Sequence, residues 1–257
     1  MVTIIGIDCA VQDKNVGLAR SQLVEGKAQV SEAKSNFKRG EVLTTLLEWI
    51  DPDSPTLLAI DAPLGWPEAM GDTLAGHEAG RFIPIEPNHF FRRRTDIYIK
   101  EQLLQQPLDV GADRIARTAH RALQLLSELR VALHQSVDLA WSHKVYSVQA
   151  IEVYPAATLA SYKIPARLYK DESGKETRLS ILERLGGHLA LSSEQLRRNC
   201  VDDADVLDAV VCVLAGADFL LGRAETPQDQ DVKLAQKEGW IWSRPLDEPV
   251  PRTQADS

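Results

Sequence analysis

Apolar and polar positions along the chain alternate between two rhythms, and the order in which those rhythms occur predicts a mixed sheet covered by helices. The run Thr3-Ile4-Ile5-Gly6-Ile7-Asp8-Cys9-Ala10 is apolar and β-branched, ends at the turn formers Gln12 to Asn15, and reads as a central strand buried on both faces. Val16 to Arg20, then Leu23-Val24 and Ala28-Gln29-Val30 on either side of Gly26-Lys27, extend it into a three-stranded antiparallel meander. From Glu41 to Ile50 the rhythm changes. Val42, Leu43, Leu46, Leu47 and Ile50 have helical spacing, and Asp51-Pro52 stops the helix. It leads back to a second apolar strand, Leu57 to Pro63, expected to lie parallel to the first.

The breaker-rich Pro63-Leu64-Gly65-Trp66-Pro67 opens a mainly helical insertion over about 64–145. Its clearest helix runs from Ala112 to about Gln135, with Ile115, Ala119, Ala122, Leu126, Leu129 and Leu133 on one face. Val148 to Pro155 reads as a further strand closed by proline, and Leu179, Leu182 and Leu185 mark an amphipathic helix. Val201 to Ala215 is apolar almost all round, hence a buried helix, and Gly239 to Trp242 suits a last edge strand. The reading is one α/β domain over 1–245 and a loose tail over 246–257.

Composition narrows the partners. A chain of 257 residues, 44% hydrophobic, can bury a large core, and a net charge of -8 argues against broad electrostatic binding to a polyanion while leaving room for a local basic patch. Cys9, Cys200 and Cys212 lack metal-ligand spacing and read as reduced core thiols. With no leader-like start and no apolar run long enough for a bilayer, a soluble cytoplasmic protein is expected.

Chemistry is concentrated in carboxylates placed where they lose water. Asp8 and Asp61 each end an apolar strand, and Glu152 lies near the end of a third. Asp205 and Asp208, three apart, share a helix face one turn apart. Asp202 and Asp203 are explained as helix caps; Asp208, flanked by Val206, Leu207, Ala209 and Val210, is not. Hard anionic oxygens of this kind suit Mg2+ or Mn2+, and a two-metal site can activate water and stabilise the leaving oxygen in phosphodiester cleavage. The bland alternative is that each acid has its own arginine or backbone partner. The cluster Phe90-Phe91-Arg92-Arg93-Arg94-Thr95-Asp96, with Arg114 from the long helix, offers phosphate and base contacts for a nucleic acid or nucleotide substrate through Arg92, Arg94, Asp96 and Arg114. Against that stands a structural ion pair between Arg94 and Asp96 over core phenylalanines. His89 and His120 read as surface residues.

The ordered set Gly6-Ile7-Asp8, Ala59-Ile60-Asp61-Ala62-Pro63-Leu64-Gly65, Arg94-Thr95-Asp96, Glu152-Val153-Tyr154-Pro155 and Asp205-Val206-Leu207-Asp208-Ala209 resembles the family of predicted RNase H-like nucleases known as domain-of-unknown-function family four-two-nine. The resemblance implies an RNase H-like fold and, through a more distant similarity to RuvC-type resolvases, metal ligation by Asp8, Asp61, Asp205 and Asp208; the resolvases carry glutamate where this chain has Asp61. Two other readings stay open: an ATP-dependent phosphotransferase of the actin and sugar-kinase type, disfavoured because no glycine follows Asp8 before Asn15, and a non-catalytic binding protein.

Overall fold

The computed structural model describes residues 2–111 and 113–246. In chain order the elements are β1 (Thr3–Asp8), β2 (Gly17–Val24), β3 (Lys27–Lys34), α1 (Glu41–Trp49), β4 (Thr56–Asp61), α2 (Glu68–Leu74), α3 (Pro87–Phe91), α4 (Arg94–Leu103) and α5 (Asp113–Leu133). Then come β5 (Asp138–Leu139), β6 (Val148–Glu152), α6 (Pro155–Ser161), α7 (Lys175–Leu185), β7 (Leu189–Leu191), α8 (Glu194–Asp202), α9 (Ala204–Leu220) and α10 (Val232–Glu238). The strands form one seven-stranded sheet in the order β5-β6-β4-β1-β2-β3-β7. The pairs β1–β2 and β2–β3 are antiparallel; β4 joins β1, β6 joins β4, β5 joins β6 and β7 joins β3 in parallel.

Strand parity divides the core. Ile5 and Ile7 of β1 and Leu58 and Ile60 of β4 pack under α1 and α5. Ile4 of β1 packs with α7, α8 and α9, and Leu57 and Ala59 of β4 pack on α9 with Cys212 and Phe219. Because side chains alternate along a strand, Asp8 and Asp61 fall on the α9 side. The helix lies very close to the sheet there. A Cβ on Gly6 would sit 2.0 Å from the Ala209 carbonyl oxygen, one on Gly17 1.9 Å from that of Asp205, and one on Gly216 2.7 Å from Ile4 Cγ2. Such approach has room only for glycine.

The structure departs from the sequence reading at several ends. The expected single helix over 201–215 is two helices, because Asp203 adopts an extended conformation (φ -129°, ψ 122°) and its carboxylate accepts from Asp205 N at 2.8 Å; α9 then runs on to Leu220. Gly239 to Trp242 contributes a single parallel bridge, Ile241 with Glu152, in place of an edge strand. Periodicity missed the short strands β5 and β7, whose two and three residues are too few to show it, and the seven-residue helix α10. Ala112, the expected start of the long helix, and the tail beyond 246 lie outside the described residues. No helix among the described residues is long and apolar enough to cross a membrane.

Candidate functional site

Parallel pairing of β1 with β4 puts Asp8 directly opposite Asp61, both at the carboxyl ends of their strands. Asp8 is also opposite Gly17, and the close approach at Gly17 brings the first turn of α9 over that point. Asp205 and Asp208 therefore arrive beside Asp8 and Asp61 by backbone packing alone. Their electrostatics agree. Burial pushes the Asp8 carboxyl well above its usual range, with Asp208, Asp61 and Asp205 adding repulsion. Asp61 is raised by burial and Asp208 to about 7, and Asp205 by burial and its neighbours Asp203 and Asp208 to about 6. Four carboxylates pressed together out of water repel one another and hold protons more tightly.

Cys9, Cys200 and Cys212 are all free and buried, and desolvation pushes each thiol up.

One cation answers the acids. Lys170 Nζ lies 2.6 Å from Asp208 Oδ2, while Tyr169 donates to Asp208 Oδ1 at 2.6 Å. The segment carrying both is clamped from behind. Buried Arg178 donates to the carbonyls of Tyr169, of Asp171 at 3.0 Å and of Val201 at 2.7 Å, and Gly174 leaves no room for a Cβ beside the Leu168 and Tyr169 carbonyls. Neither Tyr169, Lys170 nor Arg178 stood out in the sequence: they lie in a stretch without apolar period, and only contact across the fold reveals them.

Three features bear on whether these donors suit a divalent cation. Asp8 and Asp61 have no hydrogen-bond or ion-pair partner on their carboxylates among the described residues, and Asp208 Oδ2 is buried without an aligned hydrogen bond, touching only the Lys170 ammonium. All four donors are hard oxygens, as Mg2+ and Mn2+ prefer. Against this, no three such side chains among the described residues already stand in metal-holding geometry. The donors suit such an ion in chemistry, but as they stand the side chains form no metal-holding group among the described residues, and the Lys170 ammonium occupies Asp208.

Glu152 does not join this set. It is in register with Ile60, which belongs to the opposite face from Asp61. There Arg93, 1% exposed, donates from Nη2 to Glu152 Oε1 at 2.7 Å and from Nη1 to Oε2 at 2.8 Å, and Leu64 N donates to Oε2 at 2.9 Å. Asp96, placed with substrate contacts by the sequence, is the other counter-ion of Arg93, at 2.8 Å from Nη2, and caps α4 through Arg93 N. The arginine buried in the ion pair is thus Arg93 and not Arg94. Arg94 pairs with Asp231 at 2.9 Å, Arg92 with Asp109 at 3.3 Å, and both are committed within the fold. Arg114, His89 and His120 are exposed. Phe90 is core and Phe91 is 40% exposed.

Beside Asp61 and Lys170 opens a cavity of about 340 Å³ between the insertion and the rim of the sheet.

The family model described as "Protein of unknown function (DUF429)" matches residues 6–232. No curated protein and no solved structure matches the chain.

Proposed function

We propose, from the premise that this chain belongs to the DUF429 family of proteins of unknown function, that it is a metal-dependent phosphodiester hydrolase on an RNase H-like sheet. The observation that carries the reading is the meeting of Asp8, Asp61, Asp205 and Asp208, from two strands and a helix, with one movable ammonium as their only neutralising cation among the described residues. The antiparallel meander continued by the parallel β4 and β6 supports the fold assignment. When bound, Mg2+ or Mn2+ would supply a lowered pKa for water and charge for the leaving oxygen.

The chain's own residues divide the remaining work. Asp8, Asp61 and Asp208 would hold the ion, and Asp205, in the first turn of α9 and half-buried, would take a proton from water at the rim. Tyr169 keeps Asp208 oriented through its hydroxyl. Lys170, on a stem 59% exposed, neutralises Asp208 and would reach the phosphate oxygens of a bound substrate. Mn2+-dependent hydrolysis of bis(p-nitrophenyl) phosphate and of short single-stranded DNA and RNA tests this. Wild type should cleave at least one of them and Asp8→Asn none; inactivity of the wild type across the set, with no Mn2+ binding by calorimetry, removes the proposal.

A further inference from the structure

The cavity beside Asp61 is walled unlike the acids at its edge. Pro63, Leu108, Ile115 and Tyr154 line it, together with Tyr169, Lys170 and Asp61. Its charged floor is already occupied, since Arg93 and Glu152 are paired with each other. Away from Lys170 a phosphate has nothing to bind in such a space, but a flat heteroaromatic ring does. Leu108 lines the cavity and yet is 67% exposed, so apolar surface at the mouth is left for a ligand to cover. The volume is near the lower end of small-molecule pockets, about 300 to 1,000 Å³, which admits one nucleotide unit and excludes paired bases.

We infer that this cavity seats a single nucleobase, holding its phosphate ester over Asp61 and Lys170, so that the substrate is one unstacked nucleotide unit. The inference rests on the hydrolase reading for the chemical step after binding, but not for binding itself. The base stacks against Tyr154 and Tyr169 among the prolines, as single bases do on aromatic platforms. It comes either from a free nucleotide or from a strand with that base splayed out, as enzymes that work on one nucleotide require.

Calorimetry in EDTA on the full chain separates this from hydrolysis. The probes are AMP and UMP, ribose 5-phosphate as the ring-free control, and pentanucleotides of DNA and RNA. A ring-bearing probe should bind at least tenfold tighter than ribose 5-phosphate. Leu108→Trp, a change at an exposed wall that fills the mouth, should weaken that binding about tenfold, and Tyr154→Leu should do so by removing the stacking face. Tight mononucleotide binding assigns the site to free nucleotides, and binding by pentanucleotides alone assigns it to strands; either supports the cavity. Equal binding of ribose 5-phosphate, wild-type affinity in both variants, or no binding of any ring-bearing probe overturns it. Failure of Mn2+-dependent hydrolysis would leave the binding result standing.

Discussion

Asp61→Asn should make the metal-free protein more stable, and the gain should depend on pH in a defined direction. In the folded chain the Asp61 carboxyl is pushed up from 3.8 to about 7, chiefly by burial and next by Asp208. Between those values the folded state binds more protons than the unfolded one, so stability falls as pH rises through 4 to 7 and levels off above. Each unit of separation corresponds to about 1.4 kcal/mol, which sets a ceiling of about 4 kcal/mol on the cost at pH 8. Water at the partly open rim reduces this, and the expected gain from asparagine is about 1–3 kcal/mol. Well below pH 4 Asp61 is protonated in both states and the gain should vanish, so at pH 4 only a small remnant of it is left. Urea unfolding of both proteins in EDTA at pH 4, 6 and 8 measures it. Mn2+ should reverse the order at pH 8, since the wild type would gain binding energy that the variant has lost. A variant less stable than wild type at pH 8 in EDTA, or a gap that does not change with pH, refutes the strained-carboxylate argument.

Other consequences are as direct. Arg93→Met leaves Asp96 and Glu152 buried without a cation and should cost about 3–5 kcal/mol, with partial recovery when Glu152→Gln is added; urea midpoints at pH 7 test both. Gly17→Ala places a methyl 1.9 Å from the Asp205 carbonyl oxygen, so α9 must lift from β2. A lower melting temperature together with weaker Mn2+ binding is expected, whereas an unchanged melt would refute the close approach. Mn2+ affinity should rise between about pH 5 and pH 8, because protons compete at the ligand Asp61, raised to about 7, and because ionisation of nearby Asp205, raised to about 6, adds negative charge at the site; calorimetry in two buffers would also register the released protons. Arg178→Ala frees the carbonyls of Tyr169 and Asp171 and should loosen Lys170 from Asp208, seen as faster hydrogen exchange over 168–175.

Much of this was legible in local pattern. The meander, α1, the parallel β4 and the core of α5 follow from alternation and helical spacing, and the acids at the ends of β1 and β4 stood out because an apolar run delivered them. Glu152 satisfied the same rule and still belongs elsewhere, because a strand's face depends on register: pairing with Ile60 turns it away from Asp61. No spacing within one strand contains that information. The neighbouring arginines 92 to 94 show the same limit, since burial selects Arg93 as the partner of Asp96, where the sequence suggested Arg94. Gly6 and Gly17 carried a weaker clue, a missing side chain in a strand, which becomes informative once α9 is known to cross there.

The two acid clusters of the protein also make a comparison within one fold. Around Arg93, two carboxylates meet a guanidinium with hydrogen bonds of 2.7 to 3.1 Å, and Leu64 N satisfies a remaining lone pair. Burial still raises the Glu152 carboxyl, but there Arg93 and Leu64 N act against it. At the other cluster, four carboxylates share one ammonium on an exposed stem, three of them have no hydrogen-bond or ion-pair partner among the described residues, and Asp8, Asp61 and Asp205 are pushed above their ordinary values. A chain that can satisfy buried acids with arginine on one face of its sheet has no structural need to leave them strained on the other. The strain is what a divalent cation would relieve, and it is located where the cavity opens.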